Sequence, residues 1–453
     1  MGHIALTQLF QAFILLSVFL LIGTFLRAVL PIFQKTFLPA SVIGGFLLLF
    51  AGPIVWEGGG LPIPSAWLIT WGTLPGVLIV PVVASVPLGL KFSDAGNTDR
   101  SYSNIIKMFC IIFIVYVVQI LIGIGTNMAF RRTHDLYSIF GIELALGYLG
   151  GHGTAAVLGG FLYGIDFGYW EISQGITTAT ATIGLVAAVV VGIVYINVMA
   201  RMGKTSIITK PSEIPLDMAK GIQMDPNLQK STGAETTLNS SIESLTFHIS
   251  IILLACGIAY VLMAQVQLHQ IPLITQIPVW TYAIVVMFGV NAAINMLGLN
   301  SLVCSKTKSR ITGALTDYAI IAAIASMPIR AVLAYVVPLV FMSTIGLVAS
   351  YLLVVVLCKY FFPDDYAVER AVTLWGLCIG VFITAVMLLK ITDPDFKSPV
   401  LKDFSVAFSF WSPVFFITLP IMVNLLIYST LESTALITLV MLVVAFIVAR
   451  TAL

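Results

Sequence analysis

Stretches of about twenty apolar residues, nearly free of charge, recur along the whole chain. A bilayer core takes about 20 such residues as a helix. Candidates run from Gln8 to Leu30, Leu38 to Trp56, Thr73 to Leu90, Ile105 to Phe130 and Ile172 to Met199. A second set of five covers Leu245 to Val266, Val279 to Leu299, Ile311 to Met327, Val332 to Leu357 and Phe404 to Tyr428, and a last run covers Leu431 to Ala449. Only 9% of the 453 residues are charged, against about 25% in a soluble domain, so most of the surface must face lipid. The net charge of +2 comes with no basic block, which excludes a nucleic-acid footprint. The five cysteines are scattered with no CxxC spacing, so neither a zinc site nor a disulfide framework is expected. The N-terminal MGHIALTQLF has no basic n-region or small-residue cleavage site and reads as part of a retained first span.

Between the fourth and fifth members of each set lies one extra segment, Ser138 to Tyr163 and Ala367 to Leu389, rich in small or polar residues at its middle. The one long hydrophilic stretch, Arg201 to Ser244, divides the chain into nearly equal halves. If it is cytoplasmic and both extra segments return to their side of origin, only Arg131, Arg132 and Arg330 of the 22 basic residues fall outside. That asymmetry is what the positive-inside rule requires. It supports an external N-terminus, with both extra segments as hairpins.

Five spans per half is an odd number, so homologous halves must be inverted relative to each other. At an offset of 241, Gly72, Leu74, Ile79, Ala84, Ser85 and Pro87 meet Gly313, Leu315, Ile320, Ala325, Ser326 and Pro328. At an offset of 230, Asp135, Leu144, Gly150, Thr154, Ala155 and Leu158 meet Asp365, Leu374, Gly380, Thr384, Ala385 and Leu388. Inverted repeats with interrupted segments at matching positions point to a secondary transporter. The expected fold is an all-α polytopic membrane protein. An N-terminal repeat (1–200, hairpin 138–163) and a C-terminal repeat (245–428, hairpin 367–389) flank a cytoplasmic linker (201–244), and an extra C-terminal helix lies in 429–453.

The run GYLGGHGTAAVLGG, Gly147 to Gly160, carries the sharpest chemistry. Glycine costs about 1 kcal/mol per residue inside a helix, so Gly150, Gly151 and Gly153 predict a break. A break within hydrocarbon is tolerated only when buried in protein or facing a wet cavity. A second half-helix beginning near Thr154 would then aim free N–H groups and a positive dipole end at the cavity, a setting for a carboxylate.

GGHGTA, followed by TATATIGLVAAVVVG (Thr178 to Gly192), resembles the bacterial sodium/glutamate symporter family, as does AVMLLKITDPDFKSP (Ala385 to Pro399). The resemblance runs from the first span to about Tyr428. It implies sodium-coupled glutamate uptake by a homodimer in the bacterial inner membrane, working by an elevator-like movement and with no cofactor. The second hairpin departs from the family pattern. It reads GLCIGVFITAV, with Val381, Phe382 and Ile383 where small residues are expected. Such a tip favours a smaller, more apolar or differently charged substrate, or a protein that has lost transport; a carrier of another carboxylate or organic anion is the alternative, as is proton coupling through His152.

The candidate substrate site comprises Gly150, Gly151, His152, Gly153, Thr154 and Ala155 from the first tip and Gly380, Thr384 and Ala385 from the second. Thr178 and Thr182, four apart on one face, are the candidate sodium ligands together with Asn127. The competing reading for the threonines is back-bonding to their own helix. Glu143 is a further candidate oxygen ligand for a cation. Arg330 is a candidate carboxylate clamp or a snorkelling cation, and Asn291, Asn295, Asp317 and Asn424 are candidate interhelical bonds. With no HExxH or nucleophile motif, an intramembrane enzyme is not expected.

Overall fold

The computed structural model describes residues 6–36, 38–56, 60–89, 99–206, 220–229, 231–238, 240–269, 278–393 and 397–451. Lys91, Lys210, Lys230 and linker positions 207–219 lie outside the described residues. Among the described residues the regular structure is helical. In the first half these are α1 (Leu6–Val29), the one-turn α2 (Pro31–Thr36), α3 (Ala40–Ala51), α4 (Ser65–Ala84), α5 (Asp99–His134), α6 (Ile142–Gly164) and α7 (Trp170–Arg201). After the linker come α8 (Ser244–Leu268), α9 (Val279–Met296), α10 (Ser305–Ala325), α11 (Ile329–Leu333), α12 (Val336–Phe361), α13 (Ala367–Ile379), α14 (Phe382–Thr392), α15 (Val400–Tyr428) and α16 (Leu431–Thr451).

Among the described residues nine helices are long and apolar enough to cross a membrane: α1, α4, α5, α7, α8, α9, α12, α15 and α16. This is a multi-pass membrane protein. Several expected spans differ from expectation, among them Thr73 to Leu90, which is realised as Ser65–Ala84, and Val332 to Leu357, whose start is divided between α11 and α12. The run Leu38 to Trp56 is helical only over the 12 residues of α3, which stops at Gly52 beside Pro53. The run Ile311 to Met327 lies in α10, whose charged start (Lys306, Lys308, Arg310) and internal Asp317 lower its apolarity.

Both extra segments are broken helices. In α6 the break is at Gly151, with φ 67° and ψ −161°, a region open essentially to glycine alone. The contacts of α6 with α7 step in opposite senses on either side of it. Before the break Glu143 bonds Ser173 (2.7 Å), Gly147 lies against Thr177 and Thr180, and Tyr148 lies against Gly184. After it His152 meets Thr182 (3.0 Å), Gly159 meets Gln174 and the Tyr163 ring meets Trp170 (5.2 Å between centroids). The chain therefore reverses at Gly151. Thr154 Oγ1 holds the reversal, donating to the carbonyls of Leu146 and Gly151, both at 2.9 Å.

The second break lies at Gly380 and Val381, between α13 and α14. Glu369 accepts from Ser206 N–H (2.7 Å), Trp375 Nε1 donates to Ala188 O (2.9 Å) and the Ile379 carbonyl reaches Gly184. Past the break Leu388 returns to Gly192. This fold-back begins beside the linker end of α7, whereas that of α6 begins beside the opposite end.

Two groups of helices pack internally. One is α1, α3, α4, α8, α9 and α10; the other is α5, α6, α7 and α12 to α16. They meet chiefly where α6 lies against α4 and α10. There a Cβ on Gly76 would lie 2.7 Å from Gly160 Cα, so only paired glycines permit that backbone approach. In the second group α5 and α15 are joined by Trp411 against Tyr116 (5.2 Å), Phe113 (6.0 Å) and Phe109 (6.2 Å).

Arg370 is fully buried at the mouth of the second fold-back. It donates to Asp403 (2.8 Å), to the Asp365 carbonyl (3.0 Å) and carboxylate (3.4 Å), and lies 4.6 Å from the Phe362 ring. Removing one partner from a buried pair costs about 3–5 kcal/mol, because a charge is left uncompensated. Asp403→Ala should therefore lower the thermal midpoint of the detergent-purified protein sharply, read by intrinsic fluorescence. An unchanged midpoint would contradict this account of the mouth.

Cys304 caps the start of α10, and its Sγ accepts from Ala234 N–H of the linker (3.3 Å). Hydrogen bonds from Thr307 and backbone N–H groups bring its thiol down to about 7, while Cys110, Cys256, Cys358 and Cys378 are buried. Because the thiolate is the reactive form, labelling by an impermeant maleimide should occur at Cys304 alone, from the linker side, with half-maximal rate near pH 7. Labelling from the other face would overturn the topology.

Candidate functional site

The two breaks touch. A Cβ placed on Gly151 would lie 2.6 Å from Val381 Cγ1. Each is the point where its helix has lost its backbone ladder. Unpaired amides cost several kcal/mol in hydrocarbon, so burial of each tip by the other and by α7 makes the breaks tolerable.

The first tip contains all six residues that the sequence nominated there. Gly150 leaves room for the Thr154 side chain, Ala155 is fully buried, and a Cβ on Gly153 would lie 3.7 Å from Thr316 of α10. The second arm begins at His152, two residues earlier than the expected Thr154, because the Thr154 hydroxyl is needed to close the turn. His152 is buried, with Nε2 3.0 Å from Thr182 Oγ1. The Thr182 proton is committed to Thr178 O (2.9 Å), so Nε2 carries a hydrogen and donates.

At the second tip, Gly380 lies beside Thr384, and Ala385 packs on Gly376 while its N–H bonds Val381 O (3.1 Å). Phe382 stacks on Phe404 (5.2 Å) and lies tilted against Phe408 (4.8 Å) of α15. The two tips therefore offer different surroundings, hydroxyl-rich on the α7 side and aromatic on the α15 side.

Thr178 donates to Gln174 O (2.8 Å) and Thr182 to Thr178 O. Back-bonding thus uses their protons and leaves oxygen lone pairs, the donor type a hard monovalent cation takes. The structure brings Thr182 beside the first tip but keeps Asn127 away from it. Asn127 Nδ2 donates to the carbonyls of Tyr137 (3.0 Å), Ser138 (3.3 Å) and Phe140 (2.8 Å), so this amide braces the loop that leads into α6. From that loop to Gly151 is about nine residues of helix, roughly 13 Å.

Glu143 is more central than its sequence context suggests. It is fully buried and accepts from Tyr137 Oη (2.6 Å), Gly141 N–H (2.6 Å) and Ser173 Oγ (2.7 Å). Charge-assisted bonds of this length are strong, and they lock the first mouth onto α7. Gln119 was missed altogether. Buried in α5, it donates to Ser350 Oγ and to Cys378 O just below the second tip, both at 3.0 Å. An amide in the middle of the apolar run of α5, eight residues before Asn127, was the available signal. Arg330 lies at the surface, with Nη2 3.4 Å from Val55 O, away from the tips. Among the described residues no group of three or more His, Cys, Asp or Glu forms a metal cluster.

No curated protein matches the chain. A family profile described as Sodium/glutamate symporter matches residues 5–398, which takes in both broken segments and α7. The protein belongs to the sodium/glutamate symporter family, whose members are transporters and not enzymes.

Proposed function

We propose that the protein takes up glutamate with sodium, using two re-entrant hairpins of an inverted repeat that bind the substrate where their tips meet. The observation that carries this reading is the contact of Gly151 with Val381. Two helix breaks at equivalent positions, reached from opposite ends of α7, converge on one point. Membership in the family supports glutamate and sodium as the transported pair.

In this mechanism the first tip supplies backbone N–H groups of His152 and Gly153 to a substrate carboxylate, at the positive end of a half-helix. His152 orients the tip through Thr182. Sodium takes the oxygens of Thr178 and Thr182 together with carbonyls freed at the breaks. Glutamate is a net monoanion, and moving it alone into a negative interior costs about 2.3 kcal/mol per 100 mV. One sodium ion cancels that cost, and a second makes uptake electrically favourable. The meeting of the two helix groups along α4, α6 and α10 supports an elevator-like displacement of one against the other. The working unit is proposed to be a homodimer in a bacterial inner membrane.

Purified protein in proteoliposomes should accumulate glutamate when sodium is imposed outside. Equal uptake with choline in place of sodium would defeat the coupling, and no uptake of any acidic amino acid would defeat the substrate. Gly151→Ala should abolish uptake and lower the thermal midpoint, because φ 67° strains any other residue and the added methyl meets Val381. Wild-type uptake by that variant would remove the tip contact from the mechanism.

A further inference from the structure

We propose that this structure is the inward-facing state and that the outward-facing state closes on an ion pair between Asp317 and Lys390, which are unpaired with each other here. The inference rests on the transport reading above and adds to it the contacts of the opposite state.

The repeat is legible in element boundaries as well as in letters. Adding 241 to the bounds of α4 (Ser65–Ala84) gives 306–325, and α10 is Ser305–Ala325. Adding 230 to Trp170, the start of α7, gives Val400, the start of α15. The same shift carries the break at Gly151 onto Val381.

The packing, however, is not symmetric. The outer fold-back lies against α4 and α10, with Gly160 on Gly76 and Gly153 on Thr316. The inner one, α13 and α14, packs on α5, α6, α7, α12, α15 and on itself, and not on α4 or α10 to a comparable extent. The first tip lies beside Thr316, one turn from Thr312, which bonds Ser85 at the linker-side end of α4 (2.9 Å). The outer hairpin is therefore sealed against α4 and α10, and the route from the linker side is the one left to open.

Two inverted copies reach the opposite-facing state by exchanging their conformations. The surfaces needed for that exchange are less covered on α10 than on α4. Gly72 is covered by Trp170, which a Cβ there would meet at 3.2 Å, whereas its equivalent Gly313 has open space around it. Gly76 is covered by Gly160, whereas its equivalent Asp317 is exposed. The equivalent of Gly160 is Lys390. The tightest contact between the two groups in this state thus maps onto an acidic and a basic side chain, one on each group.

Asp317 lies in the middle of α10 and accepts from Ser41 Oγ (2.9 Å). Lys390 is half-buried on the returning arm α14 and forms no ion pair with Asp317 in this structure. Charges at membrane depth are retained where they pair or line water. Pairing in one state alone makes the two ends of the cycle unequal: glycines in contact inward, an ion pair across a wider gap outward. The size of the movement follows from the register of α4 and α10. Ser85 lies opposite Thr312 and Gly72 opposite Ser326. The exchanged tip position, at the level of Pro75, is then about six residues further along α10 than Thr316, an outward shift of about 9 Å.

The test is charge exchange in proteoliposomes. Asp317→Lys and Lys390→Asp should each slow sodium-driven glutamate uptake at least tenfold, and the double exchange should restore it to within about threefold. In a Cys304→Ser background, mercuric ion should arrest an Asp317→Cys/Lys390→Cys variant, and dithiothreitol should release it. A double exchange as slow as the single changes with an unaltered thermal midpoint, or a cysteine pair indifferent to mercury, would overturn the ion pair while unaltered protein still transports. Absence of sodium-driven uptake by the unaltered protein would instead defeat the transport reading.

Discussion

The rest of the structure depends on one constraint: a helix that breaks inside hydrocarbon must have its freed backbone groups covered by protein. Gly151 breaks α6 and Gly380 with Val381 separates α13 from α14, and each break is covered by the other and by α7. α7 can serve both because its residues change along its length. The stretch 173–184 offers hydroxyls and small residues to the first fold-back, while Gly184, Ala188 and Gly192 receive the second. A bulky, wholly apolar helix in that place would leave the tips apart.

Burial of charge at the two mouths follows the same logic. Glu143 has no basic neighbour among its bonds and is held by three donors, from a tyrosine, a serine and a backbone amide. Arg370 is held by two aspartates and an aromatic face. Desolvating such groups is costly unless every bond is made, so each mouth has one arrangement and the arms are fixed at their bases. The tips then bear whatever freedom the fold retains.

Much of this was legible in the sequence, because lipid leaves few options. Long apolar runs have to be helices, and the ends of α1, α7, α8, α15 and α16 fall within a few residues of the expected spans. The break at Gly150–Gly151 was legible because glycine pairs in an apolar run cost helix stability. Less legible was whatever depended on depth. Asn127 has the composition of an ion ligand, but the extension of α5 to His134 puts it beside the loop of 137–140. Glu143 gave no sign of being fully enclosed, since an acid near a segment end looks the same at a surface. Asp317 does form the expected interhelical bond, accepting from Ser41 of α3, but its exposure on α10 could not be read from composition. The short α3 was hidden because the apolar run continues through Gly52 and Pro53, which end the helix without ending the hydrophobicity.

The central claim is that the two fold-backs start from opposite faces of the membrane and meet inside it. Side-specific labelling of one cysteine at each mouth tests it most directly, using Gly168→Cys for the first and Asp364→Cys for the second in a Cys304→Ser background. Both positions are exposed, and Gly168 has open space for a side chain. The account predicts that an impermeant reagent reaches residue 168 only from outside and residue 364 only from the linker side. Labelling of both from one face would contradict it.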